Sequence, residues 1–276
     1  MPEAPEVQTV VSTLEQQIQG RKVIDVEIRY PRLLENLDEN VWKERLVNQT
    51  LLGFSRIGKY LILTTEKYAW IIHLRMEGKF YIVEALPENM KHVHAVFELN
   101  DGRKLLYHDT RKFGRMALYD KQENVHSYPC LKNVGLDVLD DRVDGKYVYN
   151  AIHSSSRNLK SILLDQSIMA GIGNIYCDEI CFLCKLDPRS KASRLSKKDC
   201  ENIVYHSKNV IRDAMKLGGT TIRSYTSSLG VTGLFQLNLR VHTKKGEPCP
   251  VCQNTIVKRV VSQRGTYICL HCQKRK

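Results

Sequence analysis

No run of about eighteen apolar residues occurs in the 276-residue chain, so no membrane-spanning helix is expected. The first residues, Met1-Pro2-Glu3-Ala4-Pro5-Glu6, are acidic and lack the apolar segment of a secretory signal, which makes the cytoplasm the expected location. No internal repeat or low-complexity segment appears, which argues against a solenoid or a disordered linker protein. Acidic residues are scarce at one end. Between 240 and 276 only Glu247 stands against nine Lys or Arg, so that stretch carries +8 of the net +12. Such concentration favours a polyanion partner, most simply nucleic acid, with a solvated basic tail as the plainer alternative. Charged residues at 26% and hydrophobic residues at 42% place the whole among soluble globular proteins, and the length suits two domains.

Nine cysteines without an export signal do not read as disulfides. Four of them form two pairs, Cys249-Pro-Val-Cys252 and Cys269-Leu-His-Cys272, with sixteen residues between the pairs. That is the spacing of a four-cysteine zinc site on two knuckles. One structural Zn2+ would contribute folding energy on the order of 10 kcal/mol, enough to order a basic segment too small for its own core. Cys177, Cys181 and Cys184 instead recur at helical spacing and read as a buried face, with no metal assigned.

The other unusual feature is the N-terminus. Methionine before a small residue is normally removed, which would leave Pro2 with a free secondary amine. Such an amine can attack a sugar C1′ and form a Schiff base. Its reference pKa of about 7.7–8.0, against about 10.4 for lysine, keeps a useful neutral fraction at physiological pH. Glu3 and Glu6 stand within one helical turn and can handle protons. The same residues also read as an ordinary helix start, with proline in the first turn and acids at its positive end.

Val7, Val10, Val11, Leu14 and Ile18 repeat at helical spacing and Gly20 follows, predicting a helix from about residue 4 to 19 with Pro2 at its positive end. Between about 22 and 119 the segments 23–28, 60–65, 69–74, 94–99 and 104–107 are β-rich and bounded by turn residues, which predicts an antiparallel sandwich or barrel. Asn100-Asp101-Gly102 is a hairpin signal. Residues 133–147, acidic and holding two glycines, are expected to form a linker. Helices are expected around Leu159, Ile162 and Leu163, from Ile175 to Cys184, and within Leu195 to Leu217, followed by an irregular segment over 218–236. The fold class is therefore α+β and multidomain: a β-sandwich or barrel domain over 1–132 opened by a helix, the linker, a helical domain over 148–236, and a zinc-pinned module over 237–276.

Several residues suit contact with DNA, each with a plainer reading. Lys59, in Gly58-Lys59-Tyr60, is either a phosphate clamp or an edge-strand charge that discourages aggregation. His73 ends an aliphatic strand and reads first as a core histidine. In Asp109-Thr110-Arg111-Lys112-Phe113-Gly114, a ring can wedge into a base stack while Arg111 bonds an orphaned base, or the loop is merely basic with one packed phenylalanine. Gly171-Ile172-Gly173-Asn174 places glycines at a helix N-terminus, where N–H groups can hold a phosphate. Arg264 falls on a hairpin between the two knuckles, where it can reach DNA or stay solvated.

Taken in order, Met-Pro-Glu-x-Pro-Glu, Gly58-Lys59-Tyr60-Leu61, His73-Leu74-Arg75-Met76, Arg111-Lys112-Phe113-Gly114, Gly171-Ile172-Gly173-Asn174-Ile175-Tyr176, Gly218-Gly219-Thr220-Thr221 and the paired cysteines resemble the bacterial formamidopyrimidine-DNA glycosylase family over essentially the whole chain. The resemblance implies an N-terminal β-sandwich, a helix–two-turn–helix domain with a lesion-recognition loop and a C-terminal zinc finger, with DNA in a cleft between lobes. It implies a monomeric, nucleoid-associated enzyme of base excision repair whose partner is double-stranded DNA carrying oxidised bases or abasic sites. Such an enzyme excises oxidised purines and then cleaves the strand by β,δ-elimination. Pro2 would be the nucleophile, Glu3 would assist sugar-ring opening and proton transfer, and Glu6 would support the site. Lys59 and Arg264 count among the catalytic groups, and with His73 and Asn174 they would grip phosphates. Lys160 and His242 join the DNA contacts. Met76, Arg111 and Phe113 would fill the space left by a flipped nucleotide. Thr220, Ile222, Arg223, Ser224 and Tyr225 would line the damaged-base pocket, with Glu77 nearby.

The chain departs from the family pattern at Ala4, Gln8 and Thr110, where leucine, glutamate and proline are usual, and at His242, where many members have tyrosine. None of these removes a proposed catalytic group. Ala4 alters the volume beside Pro2, and His242 makes one phosphate contact pH-dependent. Two rival functions remain at this point: an endonuclease VIII-like enzyme for oxidised pyrimidines, against which the Met76, Arg111 and Phe113 set speaks, and a zinc-ribbon DNA-binding protein without catalysis, which gives no reason for the Pro-Glu terminus.

Overall fold

The computed structural model describes residues 1–220 and 233–276, which divide into two compact units. The first comprises Met1–Lys132 and Gly218–Leu234, the second Asn133–Leu217 and Phe235–Lys276.

In the first unit, helix α1 (Ala4–Ile18) covers the predicted span. The chain then runs through β1 (Val23–Ile28), α2 (Glu39–Leu46), β2 (Gly53–Ile57), β3 (Tyr60–Thr64), β4 (Tyr68–His73), β5 (Lys79–Val83), β6 (Val93–Leu99), β7 (Lys104–His108) and β8 (Arg115–Asp120). The strands form two four-stranded antiparallel sheets, ordered β1-β6-β7-β5 and β2-β3-β4-β8. Their inner faces share one core. Trp70 of β4 reaches the other sheet, with ring centroids 6.3 Å from Phe80 and 4.4 Å from Phe97. Val7, Val10, Val11, Leu14 and Ile18 of α1 enter the same core, which anchors the helix whose N-terminus carries Pro2. This is the β-sandwich that alternating apolar residues dictate when each sheet must bury one face. The Asn100-Asp101-Gly102 turn joins β6 to β7, with Gly102 at φ +87°.

The second unit holds β9 (Leu136–Asp137), α3 (Gly145–Ile152), α4 (Leu159–Leu163), β10 (Met169–Ala170), α5 (Asn174–Leu183), α6 (Lys197–Lys216), β11 (Val257–Val261) and β12 (Arg264–Ile268). The 133–147 stretch expected as a linker is structured: β9 pairs in parallel with β10, Val138 and Val143 are buried, and α3 begins inside it. Two buried valines outweigh the acidic composition on which that expectation rests. Gly145 lets α3 approach α6, since a Cβ there would stand 2.9 Å from the Glu201 Cα. Ser196 caps α6 through the Asp199 N–H at 3.1 Å. Cys177, Cys181 and Cys184 are buried on α5 as expected. Among the described residues no helix is long and apolar enough to cross a membrane.

Because Trp70 is fully buried and joins both sheets, Trp70→Ala should cost roughly 3–5 kcal/mol of unfolding free energy. Urea titration followed by circular dichroism checks this, and a midpoint equal to wild type would contradict a shared core.

Candidate active site

The N-terminus of α1 is built around Glu6. Pro2, Glu3 and Glu6 are buried, whereas Met1 is exposed. Glu6 Oε2 accepts the Glu3 N–H at 2.8 Å. Its Oε1 accepts the Thr220 N–H at 2.7 Å and the Thr220 hydroxyl at 3.1 Å. This approach needs glycine before Thr220: Gly219 has φ +79°, and a Cβ would stand 2.6 Å from Glu6 Oε1. Glu6 therefore acts as a brace, with both oxygens engaged, and it fixes Thr220 in the same unit as Pro2 and Glu3. Ile222, Arg223, Ser224 and Tyr225 lie outside the described residues.

Lys59 and His73 lie together at the β2–β3–β4 end of one sheet. Gly58 and Lys59 form a two-residue hairpin loop with Gly58 at φ +55°, the glycine-first arrangement that strand twist favours. Lys59 is buried at 6% exposure. His73 packs edge-on against Tyr60, centroids 4.6 Å apart, and its Nδ1 accepts the Arg75 N–H at 3.0 Å. That bond assigns the proton of the neutral ring to Nε2, leaving Nε2–H as a donor. Burial, then the Arg75 and Lys59 charges, pulls the His73 pKa down to about 3.

The 109–114 loop is shaped by buried Asp109, whose carboxylate accepts the N–H groups of Arg111 at 2.9 Å, Phe113 at 2.9 Å and Gly114 at 2.8 Å. Gly114 is required because a Cβ would collide with the Tyr107 hydroxyl. So held, Phe113 stands 47% exposed, and the Arg111 guanidinium lies 4.7 Å from its ring centroid. Met1, Met76 and Phe113, with Arg75 and Arg115, line an open cavity of about 370 Å³. The chain terminus and two of the three expected plug residues thus share one pocket. Glu77, next in sequence, acts electrostatically on Lys79.

In the second unit Asp178, fully buried, gathers three groups. Its Oδ1 accepts Lys160 Nζ at 2.7 Å, and its Oδ2 meets His242 Nδ1 at 2.8 Å and the Tyr267 N–H at 3.3 Å. Adjacent Glu179 accepts the N–H groups of Arg240, Val241 and His242, each at 2.9 Å, and burial raises its pKa. Lys160, expected among the DNA contacts, has no exposed side-chain surface. It is corrected to a buried ion pair, because burying an ammonium demands an anion at hydrogen-bond distance. Asn174 opens α5 and donates to the Gly265 carbonyl at 3.1 Å. Arg264 is exposed at the start of β12, just past a two-residue turn in which Ser262 (φ +52°) and Gln263 (φ +58°) are both left-handed. Bonds from Ser262 Oγ to Ser161 Oγ at 2.6 Å and Asn158 Oδ1 at 3.0 Å hold this strained turn.

Cys249, Cys252, Cys269 and Cys272 bring their sulfurs within 4.8 Å of one another. Cys249 and Cys272 are 3.9 Å apart, and Cys252 and Cys269 are 3.4 Å apart. Sulfurs about 2.3 Å from a central ion in a tetrahedron stand about 3.8 Å from each other, so the cluster fits a metal ion.

Sequence reasoning missed Asp178 and the brace role of Glu6. Asp178-Glu179 inside apolar α5 was the available signal, since two acids in a buried stretch must be partnered.

Comparison with known proteins agrees with this arrangement. Three family models match: "Formamidopyrimidine-DNA glycosylase N-terminal domain" over residues 1–116, "Formamidopyrimidine-DNA glycosylase H2TH domain" over 134–226, and "Zinc finger found in FPG and IleRS" over 246–275. The chain is 39% identical over 276 residues to the formamidopyrimidine-DNA glycosylase of Bacillus cereus (strain ZK / E33L), covering 100% of both. It is 37% identical to that of Mycoplasma genitalium, covering 99% of this chain and 96% of the relative. Among solved structures, the Lactococcus lactis Fpg bound to DNA containing an abasic site has a TM-score of 0.92 at 36% identity, covering 99% of this chain and 100% of that one. A Lactococcus lactis mutant bound to DNA containing Fapy-dG has a TM-score of 0.93 at 36% identity, with the same coverage.

The His73 geometry predicts a pH response. Its folded pKa lies below the ordinary 6.5, so the stability it contributes is complete above about pH 6.5 and is lost as the pH falls toward about 3. Long-range nitrogen–proton NMR should show a neutral ring with the proton on Nε2 from pH 8 to 5. A His73 signal titrating near 6.5 would contradict its burial.

Proposed function

The chain belongs to the formamidopyrimidine-DNA glycosylase family, and we propose that it excises oxidised purines, 8-oxoguanine and formamidopyrimidines, from duplex DNA and then cleaves the abasic strand. The observation that carries this reading is the N-terminus of α1, where Pro2 and Glu3 stand beside a Glu6 locked to Thr220. The relatives solved with abasic-site and Fapy-dG DNA support the substrate class.

Once Met1 is removed, the Pro2 amine attacks C1′ of a nucleotide flipped from the stack, which is the only geometry that exposes that atom. Glu3 donates a proton toward the sugar ring, the base departs, and an iminium joins Pro2 to C1′. The iminium acidifies the C2′ hydrogen. Its loss breaks the bond to the 3′ phosphate, and a second elimination breaks the 5′ one. The Glu6 brace holds Glu3 and Thr220 in place while charge moves. Lys59 and the Nε2–H of His73 suit the phosphates flanking the lesion, as do Asn174, Arg264 and His242. Met76 and Phe113 fill the vacated stack while Arg111 bonds the estranged base, offsetting an unstacking cost of a few kcal/mol, roughly. The base pocket is assigned to Thr220 with Ile222, Arg223, Ser224 and Tyr225, and Glu77 nearby. The metal is assigned as one zinc ion on the four cysteines, where it supplies folding energy to the finger. The enzyme acts as a monomer in the bacterial cytoplasm; its domains differ from those drawn from the sequence in that 133–147 is structured and Gly218–Leu234 groups with the sandwich unit rather than with the helical one.

On a duplex with one 8-oxoguanine, Pro2→Gly should retain binding and lose strand cleavage, and Glu3→Gln should slow base release by about 10²–10⁴-fold. Gel assays of cleavage beside filter binding check both, and wild-type kinetics in either variant would remove its assigned role. Elemental analysis should find about one zinc per chain. Chelation should reduce DNA affinity, and a metal-free protein with undiminished binding would contradict the zinc assignment.

A further inference from the structure

We propose that the buried Lys160–Asp178 pair positions Arg264 through the Gly265 carbonyl and does not touch DNA. The inference rests on the reading above that Arg264 grips a phosphate.

Lys160 has 0% side-chain exposure, as has Asp178, so its ammonium cannot reach a phosphate without the unit opening. What it reaches is specific. Nζ lies 2.7 Å from Asp178 Oδ1 and 3.4 Å from the carbonyl of Gly265. Asn174 Nδ2 donates to the same carbonyl at 3.1 Å. Two side chains, from α4 and α5, therefore converge on the carbonyl of Gly265, the residue that follows Arg264. Two residues further on, the other Asp178 oxygen accepts the Tyr267 N–H at 3.3 Å. On the preceding side, Ser262 is tied to Ser161 and Asn158.

The β12 backbone is thus held before, at and after Arg264, while the Arg264 side chain remains exposed. A two-stranded hairpin has little intrinsic rigidity, so the direction of its arginine depends on these anchors. The ion pair suits the task because a buried charge pair with further hydrogen bonds tolerates few alternative arrangements. Removing Lys160 would free one anchor and strand the Asp178 charge, whereas removing both charges frees the Lys160 anchor without leaving a buried orphan charge.

A double-mutant cycle tests this. Affinity of the full chain for a duplex with one tetrahydrofuran abasic analogue is measured over a series of salt concentrations. The proteins are wild type, Arg264→Ala, Lys160→Gln with Asp178→Asn, and the combination. Removing both charges together guards against misfolding, and zinc content with melting temperature confirms an intact finger. Arg264→Ala should weaken binding about tenfold or more and lower the salt slope by about 0.9. The neutralised pair should weaken binding comparably, yet add less than about twofold once Arg264 is gone, with no further change in slope. Multiplying effects, or a second loss of slope in the Arg264→Ala background, would mean that the pair acts on DNA by a route other than Arg264, through Lys160 itself or through His242 on Asp178, and overturn the proposal. An Arg264→Ala protein that binds like wild type would remove the phosphate reading of Arg264, and the positioning role with it. Trapping of Pro2 on abasic DNA would still stand in either case.

Discussion

The contact on which the catalytic end depends is one carboxylate shared between the start of the chain and a residue more than two hundred positions later. Glu6 takes the Glu3 N–H with one oxygen and Thr220 with the other. The first bond fixes how the chain enters α1 and hence where Pro2 sits. The second ties Thr220 to the sandwich unit. The left-handed Gly219 accommodates that bond and Thr220 is buried against it, while the apolar face of α1, sunk in the core, keeps its first turn from wandering. Pro2 and Glu3 immediately precede α1, so their placement depends on the rigidity of the helix behind them.

The second unit repeats the device with different residues. Asp178 collects Lys160, His242 and the β12 backbone, and Glu179 collects three successive N–H groups of the 240–242 segment. Neighbouring acids on one helix thereby fix the strand and loop that frame the four-cysteine cluster. Buried carboxylates serve this purpose because each must satisfy several donors at once, and losing one donor leaves an expensive orphan charge.

Much of this is legible in the sequence, and what is not has a pattern. Helix α1 and strands β1, β3, β4, β6 and β7 stand out because their apolar residues face a shared core. Within the sandwich the strands that escape, β2, β5 and β8, lie at sheet edges, where of the four edge strands only β1 is legible. Edge strands are half exposed, and their hydrophobic alternation fades into the flanking loops. The cysteine spacing foretells the four-cysteine cluster, since ligand geometry is written into short separations. Lys160 misleads for the opposite reason. The resemblance places Lys160 among the DNA contacts, but the acid that buries it lies eighteen residues away. The 133–147 stretch misleads through composition, because two valines suffice to pin it.

The most direct test of the central claim is borohydride trapping on a duplex carrying one 8-oxoguanine opposite cytosine, followed by peptide mass spectrometry. A DNA adduct on the N-terminal peptide, at Pro2 and with Met1 removed, is the expected result. Removal of Met1 with DNA bound and no adduct at Pro2 would contradict the account of this terminus as the nucleophile.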